Sequence, residues 1–410
     1  MKRTLFASLL MLAVVYSTAL SAPSLLPTET KLTAPDAFID QNFSYAMAID
    51  DDTAVIGAPN HSVVADGFGA AYVFVRTSSG WQLQQKLTAA DASPQSFFGI
   101  SVAIDHDTIV VGANGDANAG FSAGAAYVFV RSGNTWVQQQ KLTGSENSTN
   151  DAFGLSVGVN GNTIVCGAFG NSAFNTITWG TAYVFTRTGN TWTETQKLAA
   201  SDAADFNSFG GTVAITEDTI IVGAIGNAGF AGAVYVFTFD GSKWVEQEKL
   251  HAQDATPKTI FGYRLGISGD TMVVASEGRV EATFDTSTPA AVYIFRRTPS
   301  GWHQQKRIRI TDADLQGQFG LTAAVSGDTI VIGCPNDFTV APYSGSAYIF
   351  RRNGESNWTF NQKVFASDAA RDDVFGNSVA ISDDTVLVGA IGKSDVAPFA
   401  GAVYVLNFDF

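Results

Sequence analysis

Several features that announce chemistry are scarce in this sequence. Its 410 residues include two cysteines, Cys166 and Cys334. They lie three repeats apart in the pattern described below, on far sides of a ring, which excludes a disulfide by distance. Small thiols packing as hydrophobes are the expectation. The four histidines are His61, His106, His251 and His303; no two stand at metal-ligand spacing, and none accompanies a Ser or Cys as its base. The sequence therefore offers no catalytic and no metal-ligating residues.

Basic residues are also few, 24 Lys and Arg against 38 Asp and Glu. Without Lys2 and Arg3 in the leader, the balance is 22 − 38 = −16. Such a surface repels phosphate backbones and anionic lipid, which argues against nucleic-acid and membrane partners. No segment beyond residue 22 is apolar for long enough to cross a bilayer. Helix-forming runs are few, whereas 40 Gly, 30 Phe and many β-branched residues favour strands and turns.

The leader reads differently from the rest. Lys2 and Arg3 precede the apolar run Leu5 to Tyr16, and Ala19-Leu20-Ser21 offers a peptidase site before Ala22. Residues 1–22 thus have the form of a secretory signal peptide, so the mature chain is expected outside the cell. Residues 23–29 form a short lead, and one repetitive domain occupies 30–410.

That domain is built from copies of the stretch Phe98 to Leu142. It runs F-G-I-S-V-A-I, D-T-I-V-V-G-A, G-A-A-Y-V-F-V-R and W-V-Q-Q-Q-K-L, four strand-like runs. The leading aromatic recurs as Phe43, Phe98, Phe153, Phe209, Phe261, Phe319 and Phe375, making seven copies. The near-continuous apolar runs of the first two strands suit burial on both faces. The fourth strand alternates, with Trp136, Gln138, Gln140 and Leu142 on one side, as an outer edge should. Six of the seven tryptophans occupy this one repeat position, so they read as packing between units.

The chain starts on a spare fourth strand, Thr30 to Thr33, and its seventh copy stops before a fourth strand. A closed ring, with residues 30–33 completing the last copy, resolves both oddities. Two-residue links such as Asp50-Asp51, Asp105-His106 and Asn160-Gly161 join first to second strands as tight hairpins. Length varies almost only between the second and third strands. One face of the ring is therefore individual and the other uniform, and the individual loops are where function is expected.

The pattern F-G-x-S-V-A-I…D-T-I-V-V-G-A…G-A-A-Y-V-F…W…Q-K-L resembles the FG-GAP repeat family, known from integrin α subunits and many secreted proteins. Gly57-Ala58-Pro59 is its one literal G-A-P. The resemblance implies an all-β fold: a seven-bladed β-propeller of four-stranded antiparallel blades, with roles in ligand binding, adhesion or matrix contact. It also implies Ca²⁺ between the first two strands, but a two-residue hairpin is too short to wrap that ion, so no cofactor is expected. A recurring acid in the inter-blade loop (Asp36, Asp91, Glu146, Asp202, Asp254, Asp312, Asp368) reads as a structural loop cap.

On this reading the protein is a non-catalytic, secreted binding or adhesion scaffold for an extracellular protein or glycan. The alternative is a secreted hydrolase or lyase with its site in the central funnel. Trp179, Phe174, Phe121, Arg279, Glu281 and Tyr343, in the variable loops, are the candidate binding residues. For Phe121, Phe230 and Phe399, just ahead of the third strand, the recurring position also suggests a plug over the blade top. Sequons at Asn60, Asn147, Asn42 and Asn357 are candidate glycosylation sites, the first two expected to be the more accessible.

Overall fold

The computed structural model describes residues 27–59, 68–170, 180–203, 207–277, 290–309 and 319–408. These form seven four-stranded antiparallel sheets arranged as a ring. In six blades the strands follow chain order from the axis outward, blade 2 being Ser101–Asp105, Thr108–Ala113, Ala125–Ser132 and Thr135–Leu142. The seventh takes Phe375–Ser382, Thr385–Ala390 and Ala402–Asn407 from the C-terminus and Thr28–Leu32 from the N-terminus. The closing strand pairs Thr28 with Asn407 and Leu32 with Val403. It begins two residues earlier than the repeat comparison suggests.

The second strands are β-branched and almost wholly buried, as Thr108–Ala113 illustrates. Their hydrophobic faces do not form one central core. Seven apolar clusters each straddle two neighbouring blades, so every blade depends on both neighbours. Within each, the leading Phe packs against third-strand aromatics; Phe98 lies 5.5 Å from Tyr127 in a tilted pair and 6.1 Å from Phe129 edge-on. The Gly after that Phe allows blades to meet backbone to backbone. Gly99 has φ +96°, and a Cβ there would stand 2.3 Å from the Ala70 carbonyl oxygen. Both cysteines are buried thiols outside any disulfide.

Two local expectations need correction. The turn residues are Asp51-Asp52, His106-Asp107 and Gly161-Asn162, one residue later than the sequence pairs suggest, because Asp50, Asp105 and Asn160 still pair with Thr53, Thr108 and Thr163. The side chains of Asp50 and Asp105 reach sideways instead, accepting the backbone N–H of His106 (2.6 Å) and Gly161 (2.7 Å) in the next blade. Ser382 does the same for Asp51, across the ring closure (3.2 Å).

The fourth strand does not alternate simply. A β-bulge follows Val128 in the blade 2 pairing and recurs in the other five blades that are continuous in the chain. The bulge turns Gln140 towards the next blade, where its amide donates to the Trp192 carbonyl (2.7 Å) and accepts from the Trp192 N–H (2.8 Å). Gln85 holds Trp136, and Gln196 holds Trp244, in the same way. The repeated tryptophans are thus inter-blade packing, and the Gln of Q-K-L is the clamp. Among the described residues, no helix is long and apolar enough to cross a membrane.

Candidate functional site

Antiparallel order puts the loops between second and third strands on one face, beside the inter-blade loops. The tip of each such loop leans on the next inter-blade loop through main-chain hydrogen bonds. Asn150 donates to the Phe121 carbonyl (2.8 Å), Ile260 to Phe230 (2.9 Å) and Val374 to Tyr343 (2.9 Å). The residue following Phe121, Tyr343 or Phe399 by one or two positions fills the space beneath: Ala123, Ser344 and Ala400 are all buried. The aromatic rings are left outside.

Phe121 is 63% exposed, Phe230 51%, Phe399 50% and Tyr343 42%. A plug over the blade top is therefore the wrong description of Phe121, Phe230 and Phe399; small residues do that. Tyr343 meets Phe338 edge-on at 4.7 Å, which gives blade 6 a two-ring platform. Trp179, Phe174, Arg279, Glu281 and Asn60 lie outside the described residues. Asn147 is half-buried, with its amide donating to the Gly124 carbonyl (2.9 Å); Asn42 is half-buried and Asn357 exposed.

The recurring acids of the inter-blade loops are engaged by their own blades. Asp36 accepts from the Tyr72 hydroxyl (2.7 Å) and Lys86 (2.5 Å), and Asp202 from Tyr235 and Lys249. Asp254 is held by Tyr293 and Arg307, and Asp368 by Tyr404 and Lys31. Partial burial pushes the Asp368 carboxyl up, but hydrogen bonds from Lys31 and Tyr404 and the charge of Lys393 outweigh it, bringing it down to about 2. Burial and the same carboxylates push the Tyr72, Tyr235 and Tyr404 phenols well above their ordinary range. Asp312 falls outside the described residues.

The uniform face does not fit Ca²⁺. Asp50 accepts the His106 N–H, Asp52 is paired with Arg76 (2.5 Å), and Asp51 sits at φ 48° in a two-residue turn, so no loop wraps six to eight oxygens around one point. Asp50, Asp105 and His106 do approach one another, with ligand atoms within 4.8 Å. Both carboxylates already bind hairpin N–H groups, and Asp105 and Asp50 hold the exposed His106 ring above its ordinary pKa. The trio works as hairpin-to-hairpin contact.

The central channel opens on the variable-loop face, because its lining residues open the first strands. Three residues per blade surround a volume of about 370 Å³. Tyr45, Ile100, Leu155, Tyr263, Leu321 and Asn377 belong to the outermost layer. In the next layer Ser101, Ser156 and Thr212 donate to the carbonyls of Gly154 (2.8 Å), Gly210 (2.9 Å) and Gly262 (2.8 Å) in the following blades. Thr322 and Ser378 do likewise, so these hydroxyls join blades rather than await a substrate. The exception is Arg264, which sequence reasoning overlooked. The signal was available: position three after the leading Phe is Ala, Ser or Thr in every other copy.

A family model described as "FG-GAP repeat" matches residues 27–74, 81–129, 136–185, 192–237, 244–295, 302–350 and 358–406. Each matched segment ends within a third strand, and the first takes in the closing strand. No curated protein matches the chain.

Proposed function

The chain belongs to the FG-GAP repeat family, and from that premise we propose that it is a secreted binding or adhesion scaffold. Its partner, an extracellular protein or glycan, docks on the variable-loop face. The observation that carries this reading is the set of solvent-facing aromatics at the loop tips, Phe121, Phe230, Tyr343 and Phe399. Exposed rings on a surface are normal singly, but a recurring array on a rigid rim is what stacks on sugars or anchors a partner. Main-chain bonds to the next blade fix the loops before binding, which reduces the ordering cost of association. The leader sequence supports export, and the acidic surface suits protein or neutral glycan partners over nucleic acid.

Affinity capture of extracellular proteins and a glycan array, both with the mature chain, test the proposal. The triple variant Phe121→Ala, Tyr343→Ala, Phe399→Ala should melt like the parent and lose the captured partner. Retained capture by the triple variant would sink the assignment to this face.

A further inference from the structure

One position on the channel wall departs from the rest of the ring. Three residues after the leading Phe, six blades carry Ala, Ser or Thr, and five of those side chains tie to a carbonyl of the next blade. Blade 5 carries Arg264, which forgoes that bond. Among the described residues it has no ion pair. Its guanidinium turns to the adjoining residue, donating to the Tyr263 carbonyl (3.1 Å) and lying 4.6 Å from the centre of the Tyr263 ring.

A guanidinium has five N–H donors in a planar fork, so most of its capacity remains open. It is half-buried, and stacking on Tyr263 holds it in one orientation. The chain has 38 acidic residues, yet none is among those lining the channel. Among the described residues, Arg264 is the one formal charge on that wall. A single positive charge inside a cleft concentrates an anion where the rest of the acidic surface repels it. Asn377 and the Tyr45 side chain share the outer layer and offer further polar groups and an aromatic face. The volume of about 370 Å³ lies at the small end of the roughly 300–1,000 Å³ typical of ligand sites.

We propose that the channel mouth binds a small organic carboxylate of up to about one sugar ring, a uronic acid being the fitting class, with Arg264 forking its carboxylate. This site is separate from the loop-tip aromatics and does not depend on their role. The fork matches a carboxylate with two parallel charge-assisted bonds, and the aromatic faces of Tyr263 and Tyr45 on the same wall suit a sugar ring behind the acid group.

Calorimetric titration of the mature chain with sodium D-glucuronate, and with D-glucose at matched ionic strength, provides the test. Glucuronate should bind and glucose should not. Arg264→Ser, which restores the residue that three other blades carry, should weaken glucuronate roughly ten- to hundredfold without lowering the melting temperature. Arg264→Gln serves as a second neutral variant should the serine variant misfold. Phe121→Ala should leave glucuronate affinity unchanged, which separates this site from the loop face. No glucuronate binding by the parent, equal binding of glucose, or parental glucuronate affinity retained in the folded Arg264 variants would overturn the proposal.

Discussion

Lys31 and Asp368 are 337 residues apart in the chain and 2.7 Å apart in the fold. Lys31 belongs to the N-terminal strand, Asp368 to the loop entering the last blade. Lys86 and Asp36 make the equivalent contact inside blade 1, so the first and last segments reproduce a bond that other blades form within one copy. The ring is closed by side chains as well as by main-chain pairing.

The contact and the strand should differ greatly in weight. Lys31 and Asp368 are 25% and 44% exposed, so Lys31→Ala should cost about 1 kcal/mol or less after solvent screening. Removing residues 27–36 instead strips the last blade of its outer strand and opens the shared core with blade 1. Size-exclusion chromatography of that deletion should show aggregate. A monomer melting like the parent would contradict ring closure.

Acid should destabilise the fold in a defined window. Asp368 stands at about 2 when folded against 3.8 as the reference, and Asp36, Asp91, Asp202 and Asp337 are also lowered. Depressed carboxyls bind protons more weakly in the fold, so their stabilisation is full above pH 4. It is lost as pH falls from about 4 towards 2. Urea midpoints measured across pH 2–7 should be flat at the upper end and drop in that interval, less steeply in Asp368→Asn.

The alkaline limb has the opposite sign. Burial, then the neighbouring carboxylates, raise the Tyr72, Tyr127, Tyr235 and Tyr404 phenols above their reference of 10.0. A raised folded pKa means stability that is whole below pH 10 and erodes as pH climbs beyond it. Tyrosinate absorbance from these four should appear together with loss of circular dichroism. Their ionisation in a fully folded protein would contradict the buried hydroxyl–carboxylate pairing.

Blade 7 carries a buried ion pair, Lys393 with Asp373 at 2.9 Å, at 4% and 5% exposure. Lys393→Met should destabilise by about 3–5 kcal/mol, because it leaves a carboxylate buried without its counter-charge. Adding Asp373→Asn should recover part of that loss. Additive losses in a chemical-denaturation double-mutant cycle would show the two side chains to be uncoupled.

The Phe-Gly pair has two distinct duties. Phe98 is fully buried, and Phe98→Ala should cost about 3–5 kcal/mol by cavity formation. Gly99→Ala places a Cβ 2.3 Å from a carbonyl oxygen at φ +96°, and should cost about 2–4 kcal/mol through strain rather than lost contact. Thermal melts of the two single variants separate these effects, since only the first leaves space that a small apolar additive can fill.

Strand count, blade count, the closing strand and the split between a uniform and an individual face were legible in the sequence by itself. Each follows from a period along the chain, and strand propensity, tight turns and a repeated Phe-Gly act over a few residues. The spare strand at Thr28–Leu32 needed only counting. Tertiary structure decided what lies between copies. Gln140 meets Trp192 52 residues away, the Asp50 side chain meets His106 56 residues away, and Phe121 faces solvent because Ala123 fills the space below. Arg264 was visible as a letter out of pattern, but its meaning depends on seven first strands enclosing one channel. A repeat shows in its own residues how each blade is made; which side chains the ring turns towards a partner is set by neighbours some fifty residues away, through contacts no local pattern encodes.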